Sequence, residues 1–151
     1  MPGRYYQIPL VSLSVTTDAD QDIWEMVAPS TGPVVIHGFS LTSSTTTDER
    51  VSLRLVRRST TGSGGAASTE VPIQDTNTMA AVAALSTLVT TPGTIGDIMA
   101  GWLWSQQGEL LYLPTPEIRP DIVASGRIAL NLQTAVGSTR TWSGWVAWEE
   151  T

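Results

Sequence analysis

The sequence predicts an all-β fold: a single jelly-roll-like β-sandwich of about eight strands, with a long central excursion and at most one short helix. Three observations predict it. Short apolar segments alternate with a period of two, as half-buried strands do. Gly, Pro, Asp and Ser punctuate those segments at short intervals, the pattern of sandwiches and barrels. Thr and Val recur throughout, and their β-branched side chains favour extended backbone. With 151 residues, 41% hydrophobic and 15% charged, the chain is sized for one domain spanning residues 1–151 with its own core.

Residues 4–16 read as the first extended segment. Ile8 and Leu10 share one parity while Val11, Leu13 and Val15 share the other. That switch beside Pro9 predicts a bulge or a change of partner sheet. Asp18, Asp20 and Asp22 make a polar turn. Strands follow at 23–28 (IWEMVA), 34–41 (VVIHGFSL) and 50–58 (RVSLRLVRR), separated by the turn PSTGP and a polar loop at 42–49. In the 50–58 strand Val51, Leu53 and Leu55 face one way, and Ser52 and Arg54 the other.

The next stretch, 59–65 (STTGSGG), reads as a flexible connection, a hinge by which the chain leaves the sandwich until about Gly101. So long a connection suggests an arm toward a neighbouring subunit. Within it, Val71 to Ile73 reads as a short edge strand around Pro72. Met79, Val82, Leu85 and Leu88 recur every three residues, and Thr76 or Thr78 suits a cap. Residues 78–86 therefore read as a short helix or turn, or as an irregular segment packed on a sheet. Strands return near 99–105, where Trp102 and Trp104 share a face, and at 110–113. LPTPEIRP, 113–120, is too rich in proline for a central strand and belongs on an edge or rim. The last two strands are 127–134, with Ile128, Leu130 and Leu132 inward, and 141–150 (TWSGWVAWEE). In the latter Trp142, Val146 and Trp148 face inward and Trp145 falls on the other side.

Composition narrows the function. The net charge is −6 and all eight basic residues are arginine, which disfavours binding a nucleic-acid phosphate backbone. There is no cysteine, so disulfide and thiolate chemistry are excluded. No apolar run approaches the ~20 residues of a membrane helix, and the N-terminus lacks the apolar core of a signal peptide; folding in the cytoplasm is expected. TGSGG at 61–65 lacks the lysine a phosphate loop needs, since the chain has none. The Asp18/Asp20/Asp22 turn mimics the start of a calcium loop, but Ile23 and Pro29 stand where glycine and glutamate are required, so a solvated turn is expected. His37, the only histidine, reads as structural, and no G-x-S-x-G nucleophile elbow accompanies it. Six tryptophans suit core filling, with Trp145 as the exception: a subunit contact or a platform for a sugar ring.

The strand RVSLRLVRR followed by TTGSGG, the segment bearing Pro72 and Asp75, the pair Trp102 and Trp104, the T-P-E-x-R-P run at 115–120 and the closing W-E-E together resemble small structural proteins from the head-gene regions of tailed bacteriophages. Those are similar to jelly-roll head decoration, or cement, proteins. The resemblance extends over roughly residues 30–150. It implies a homotrimer on the capsid exterior of the virion, the major capsid protein as partner, no enzymatic activity and no cofactor. Arg54, Arg57 and Arg58 are then candidate contacts to acidic capsid surface, beside Trp145. The alternative is a carbohydrate-binding module, which can also be a tryptophan-rich jelly roll.

Overall fold

The computed structural model describes residues 3–18, 20–73 and 79–151. Its strands are β1 (Arg4–Val15), β2 (Gln21–Val27), β3 (Val34–Ser43), β4 (Arg50–Arg58), β5 (Ala66–Ala67), β6 (Val71–Pro72), β7 (Ala84–Val89), β8 (Ile95–Ser105), β9 (Leu110–Tyr112), β10 (Asp121–Ile122), β11 (Arg127–Leu132) and β12 (Arg140–Glu150). They form two six-stranded antiparallel sheets. Sheet I runs β10-β3-β12-β1-β6, with β9 also pairing β3; sheet II runs β5-β7-β2-β11-β4-β8. The central strands, β3-β12-β1 against β2-β11-β4-β8, follow the jelly-roll order in which the first and last strands are neighbours.

The core lies between the sheets. Trp24, Trp142, Trp148, Tyr6 and Phe39 are fully buried, interleaved with the predicted inward sets Val51/Leu53/Leu55 and Ile128/Leu130/Leu132. Edge-to-face ring contacts join the layers: Trp104 meets Trp142 at 5.0 Å and Phe39 meets Trp24 at 5.7 Å. The predicted parity switch in β1 is a β-bulge. Val11 and Ser12 together face Ser143, and Ser12 adopts φ 51°. Leu10 and Leu13 can thereby both point inward, so the bulge sits two residues beyond Pro9.

Two expectations for the central excursion fail. Residues 84–89 are strand, not helix. Leu85, Thr87 and Val89 are buried at a period of two, whereas Met79 and Val82 of the apparent three-residue repeat are 60% and 53% exposed. The suggested caps Thr76 and Thr78 lie outside the described residues, as does Asp75. Among the described residues the one helical element is a single 3-10 turn, Pro116–Ile118, inside the proline-rich rim segment. Nor do the described residues of the excursion leave the sandwich. β7 pairs with β2, β5 pairs with β7, and β6 pairs with β1, as an edge strand around Pro72 should. Its described residues wrap the β1/β2 side of this chain's own fold and add strands to both sheets.

The stretch 59–65 is the start of that wrap, and it is packed, not a hinge. The backbone N–H of Ser59 donates to Thr94 O at 2.9 Å, and Ser63 and Thr91 exchange two backbone hydrogen bonds. A Cβ on Gly62 would collide with Val89, and one on Gly93 would collide with the carbonyl of Thr60. Glycine serves close approach here, together with φ +80° at Gly64.

Candidate functional site

The outward surfaces of the two sheets differ. On sheet II the register aligns Arg54, Asn131 and Asp22 across β4, β11 and β2, and likewise Val56, Ala129 and Glu25. The 59–65 loop covers this surface at Glu25, which is 2% exposed beneath Gly62, while Asp22 and Asn131, 0% exposed, lie beneath the side chains of Arg58 and Arg54. On β8 the same surface is open, with Leu103 69% and Ile98 58% exposed. Arg58 donates through NH2 to Asp22 Oδ1 at 2.6 Å and through NH1 to Gly93 O at 2.9 Å. Asn131 donates to Asp22 Oδ1 at 2.8 Å and accepts from Arg54 Nε at 2.8 Å. Burial pushes the Asp22 carboxyl above its ordinary value, and the bonds from Arg58 and Asn131 only partly offset it. Asp22 is therefore not part of a solvated turn; it is buried and paired with a guanidinium.

The three arginines expected to form a basic rim are not one patch. Arg54 and Arg58 share the outward surface of sheet II with Asn131. Arg57 pairs in register with Ile128, on the core side, and reaches across the open end of the sandwich to Asp121 of β10. Its NH1 donates to Asp121 O at 2.8 Å. The Arg58 side chain is 3% exposed, so it reaches no external partner while the loop is in place. Trp145 lies on the other sheet altogether.

The outward surface of sheet I carries an apolar stripe, covered among the described residues only on its β3 side, by segment 110–113. Trp145 stands at its centre, between Pro9 on β1 and Ser40 on β3. Gly38 lies diagonally across from it. A Cβ there would come 3.5 Å from Trp145 Cη2 and 2.8 Å from Leu113 Cδ2, so the missing side chain leaves room for the indole and for Leu113 to lie over β3. Leu111 faces Ser40 in register and is 50% exposed, and Leu113 is 62% exposed. On the other flank Val11, Val71 and Ile73 are exposed. Between β1 and β6 a cavity of about 320 Å3 is lined by Gln7, Pro9, Val71, Pro72 and Ile73. The stripe is bounded by polar pairs. At one end His37 Nε2 lies 3.1 Å from Glu149 Oε2, with the Tyr5 ring edge-on to His37. Beside β9, Ser40 Oγ donates to Glu109 Oε1 at 3.1 Å.

Of the candidate contacts Arg54, Arg57, Arg58 and Trp145, Trp145 alone belongs to this surface, with His37, read as structural, at its end. Val71 and Ile73, read only as an edge strand, and Leu111 and Leu113 are not contact candidates in the sequence. A signal existed in LLYL at 110–113, where apolar residues occupy both parities of a short strand beside a proline-rich rim. Leu110 and Tyr112 serve the core, which leaves Leu111 and Leu113 for the outside. Among the described residues no three His, Cys, Asp or Glu side chains converge as a metal site would require.

No family model matches the chain, and neither the curated proteins nor the solved structures contain a match to it.

Proposed function

We propose that this protein is a structural docking protein, a capsid decoration or cement protein of the kind the phage resemblance implies, and that it binds through the outward surface of sheet I. The observation that carries this reading is the apolar stripe around Trp145, with Leu111, Leu113, Val11, Val71 and Ile73 exposed on one side of a hydrogen-bonded sheet. Contiguous exposed apolar surface rimmed by polar groups is characteristic of protein contact sites, and tryptophan is the residue most enriched among interface hot spots. The partners in this reading are the major capsid protein and two further copies of the chain, forming a homotrimer on the virion exterior.

A carbohydrate-binding module is the second reading, because one indole is partly accessible. The neighbours of Trp145 weigh against it. A sugar platform needs free hydrogen-bonding groups beside the ring, and here the flanking residues are Pro9 and Ser40, the latter 3% exposed and already bonded to Glu109.

Light scattering coupled to size exclusion tests assembly; a monomer at micromolar concentration rejects the trimer. Co-sedimentation with capsids lacking the protein tests docking, with Leu111→Glu plus Leu113→Glu expected to abolish it. Binding of oligosaccharides at millimolar concentration with quenching of Trp145 would favour the second reading instead.

A further inference from the structure

We propose that the Thr60–Gly65 loop is a pH-gated lid over the Glu25 carboxylate, closed under acidic conditions and lifted as the pH rises. The lid packs its glycines on β7 and is tied at its ends and middle. Thr94 N–H donates to Thr60 Oγ1 at 2.8 Å, Gly62 N–H is shared between Glu25 Oε1 and Oε2 at 3.1 Å each, Arg127 Nε donates to Thr61 Oγ1 at 2.5 Å, and Ser63 and Thr91 exchange backbone bonds of 2.9 and 3.0 Å. Of these ties the Glu25 bond is the one whose strength changes with protonation. Beneath the lid Glu25 is 2% exposed. An ionised carboxylate has about four acceptor sites, and among the described residues this one receives a single N–H.

The charged groups around Glu25 are committed elsewhere. From β2 comes Asp22, of like charge and bound to Arg58. From β4 come Arg58, held by Asp22 and Gly93 O, and Arg54, held by Asn131 and lying 3.7 Å from Asp20. From β11 comes Arg127, bound to Thr61 and to Ser125 O. Among the described residues no guanidinium lies within ion-pair distance of Glu25. Closing the lid therefore strips water from an anion and returns one shared N–H, which is costly unless the group takes up a proton. Burial accordingly pushes the Glu25 carboxyl above its ordinary value, more than the Gly62 bond lowers it. The sign follows by linkage. Closure is most favourable below the open-lid value, about 4.3 for a glutamate in water. That advantage is lost as the pH rises through the raised closed-lid value.

Amide exchange by NMR tests the lid. Protection of the Gly62–Gly65 amides, corrected for intrinsic exchange, should fall about tenfold per pH unit between the open and closed Glu25 values and then level off. The Leu130 amide in the core should not follow. Glu25→Gln, which keeps an acceptor but cannot ionise, should flatten the loop profile. A wild-type profile already flat, or a variant that keeps the full slope, overturns the proposal. If the variant does not fold, the wild-type protein decides alone. The side-chain carboxyl resonance of Glu25 must then titrate together with loss of Gly62 protection, and separate midpoints reject the lid.

Discussion

Arg58 reads in the sequence as the end of a basic rim, and in the fold its guanidinium is locked 2.6 Å from Asp22 with both side chains almost wholly out of water. Removing one partner of such a pair leaves the other charge buried and uncompensated, at a cost of about 3–5 kcal/mol. Arg58→Met should therefore destabilise the protein by that amount in urea unfolding, and adding Asp22→Leu should recover much of the loss. A single variant within about 1 kcal/mol of wild type would show that the pair matters little. Glu49 illustrates the opposite electrostatics. Its carboxylate accepts from Gly137 N–H at 2.5 Å, from Arg140 NH2 at 3.0 Å and from Gln106 Nε2 at 3.0 Å. Partial burial raises its pKa, but these donors outweigh that and hold it below the usual carboxylate range. A lowered folded pKa means stability that is present above the unfolded value and lost as the pH falls through the folded one. Glu49→Gln should accordingly flatten the acid limb of stability measured between about pH 3 and 6, and a limb of unchanged steepness would assign it to other carboxylates.

At the scale of elements, the 59–65 loop turns its glycines to packing. Gly62→Ala sets a methyl against Val89 Cγ1 and 3.0 Å from Thr91 O, and Gly93→Ala meets the Thr60 carbonyl. Each should cost about 1–3 kcal/mol by overpacking. Either change proving neutral in thermal melts would mean that the loop stands off the sheet. Composition alone could not distinguish this loop from a hinge, because glycine marks both free backbone and close approach. What separates them is the surface beneath: Val89 on β7 and Glu25 on β2, distant in sequence and joined only by sheet pairing. The regular strands were legible for the converse reason. In β4, β11 and β12 one parity feeds the core, so Leu53, Leu130 and Trp142 announced their faces. The β1 bulge was legible too, since a parity change must be absorbed somewhere. Residues 84–89 misled because Leu85 and Leu88 imitate a helical step. Leu88 in fact takes φ 52° and packs on the core from a kinked strand.

The whole molecule is asymmetric in a way that no single strand reveals. The excursion between β4 and β8 covers the β2 part of the outward surface of sheet II and strengthens the β1/β2 side, leaving exposed apolar residues on the outward surface of sheet I around Trp145 and, on sheet II, along β8 at Ile98 and Leu103. Two tryptophans three residues apart in β12 sample the inward and outward faces of sheet I. Trp142 is 0% exposed, stacks edge-on against Trp104 and donates through Nε1 to Gln106 Oε1 at 2.8 Å. Its truncation opens a core cavity and orphans a buried acceptor, so Trp142→Ala should lower stability by about 3–5 kcal/mol. Trp145 rests on the sheet over Gly38 and closes no cavity between the layers. Trp145→Ala should cost about 1 kcal/mol or less in urea unfolding, yet weaken association by at least about 2 kcal/mol, some thirtyfold, if it anchors a contact. The pair separates folding from docking within one strand. Loss of assembly without loss of stability at Trp145 places the contact on sheet I. Equal destabilisation by both variants would make Trp145 a packing residue and leave the docking surface to be sought elsewhere.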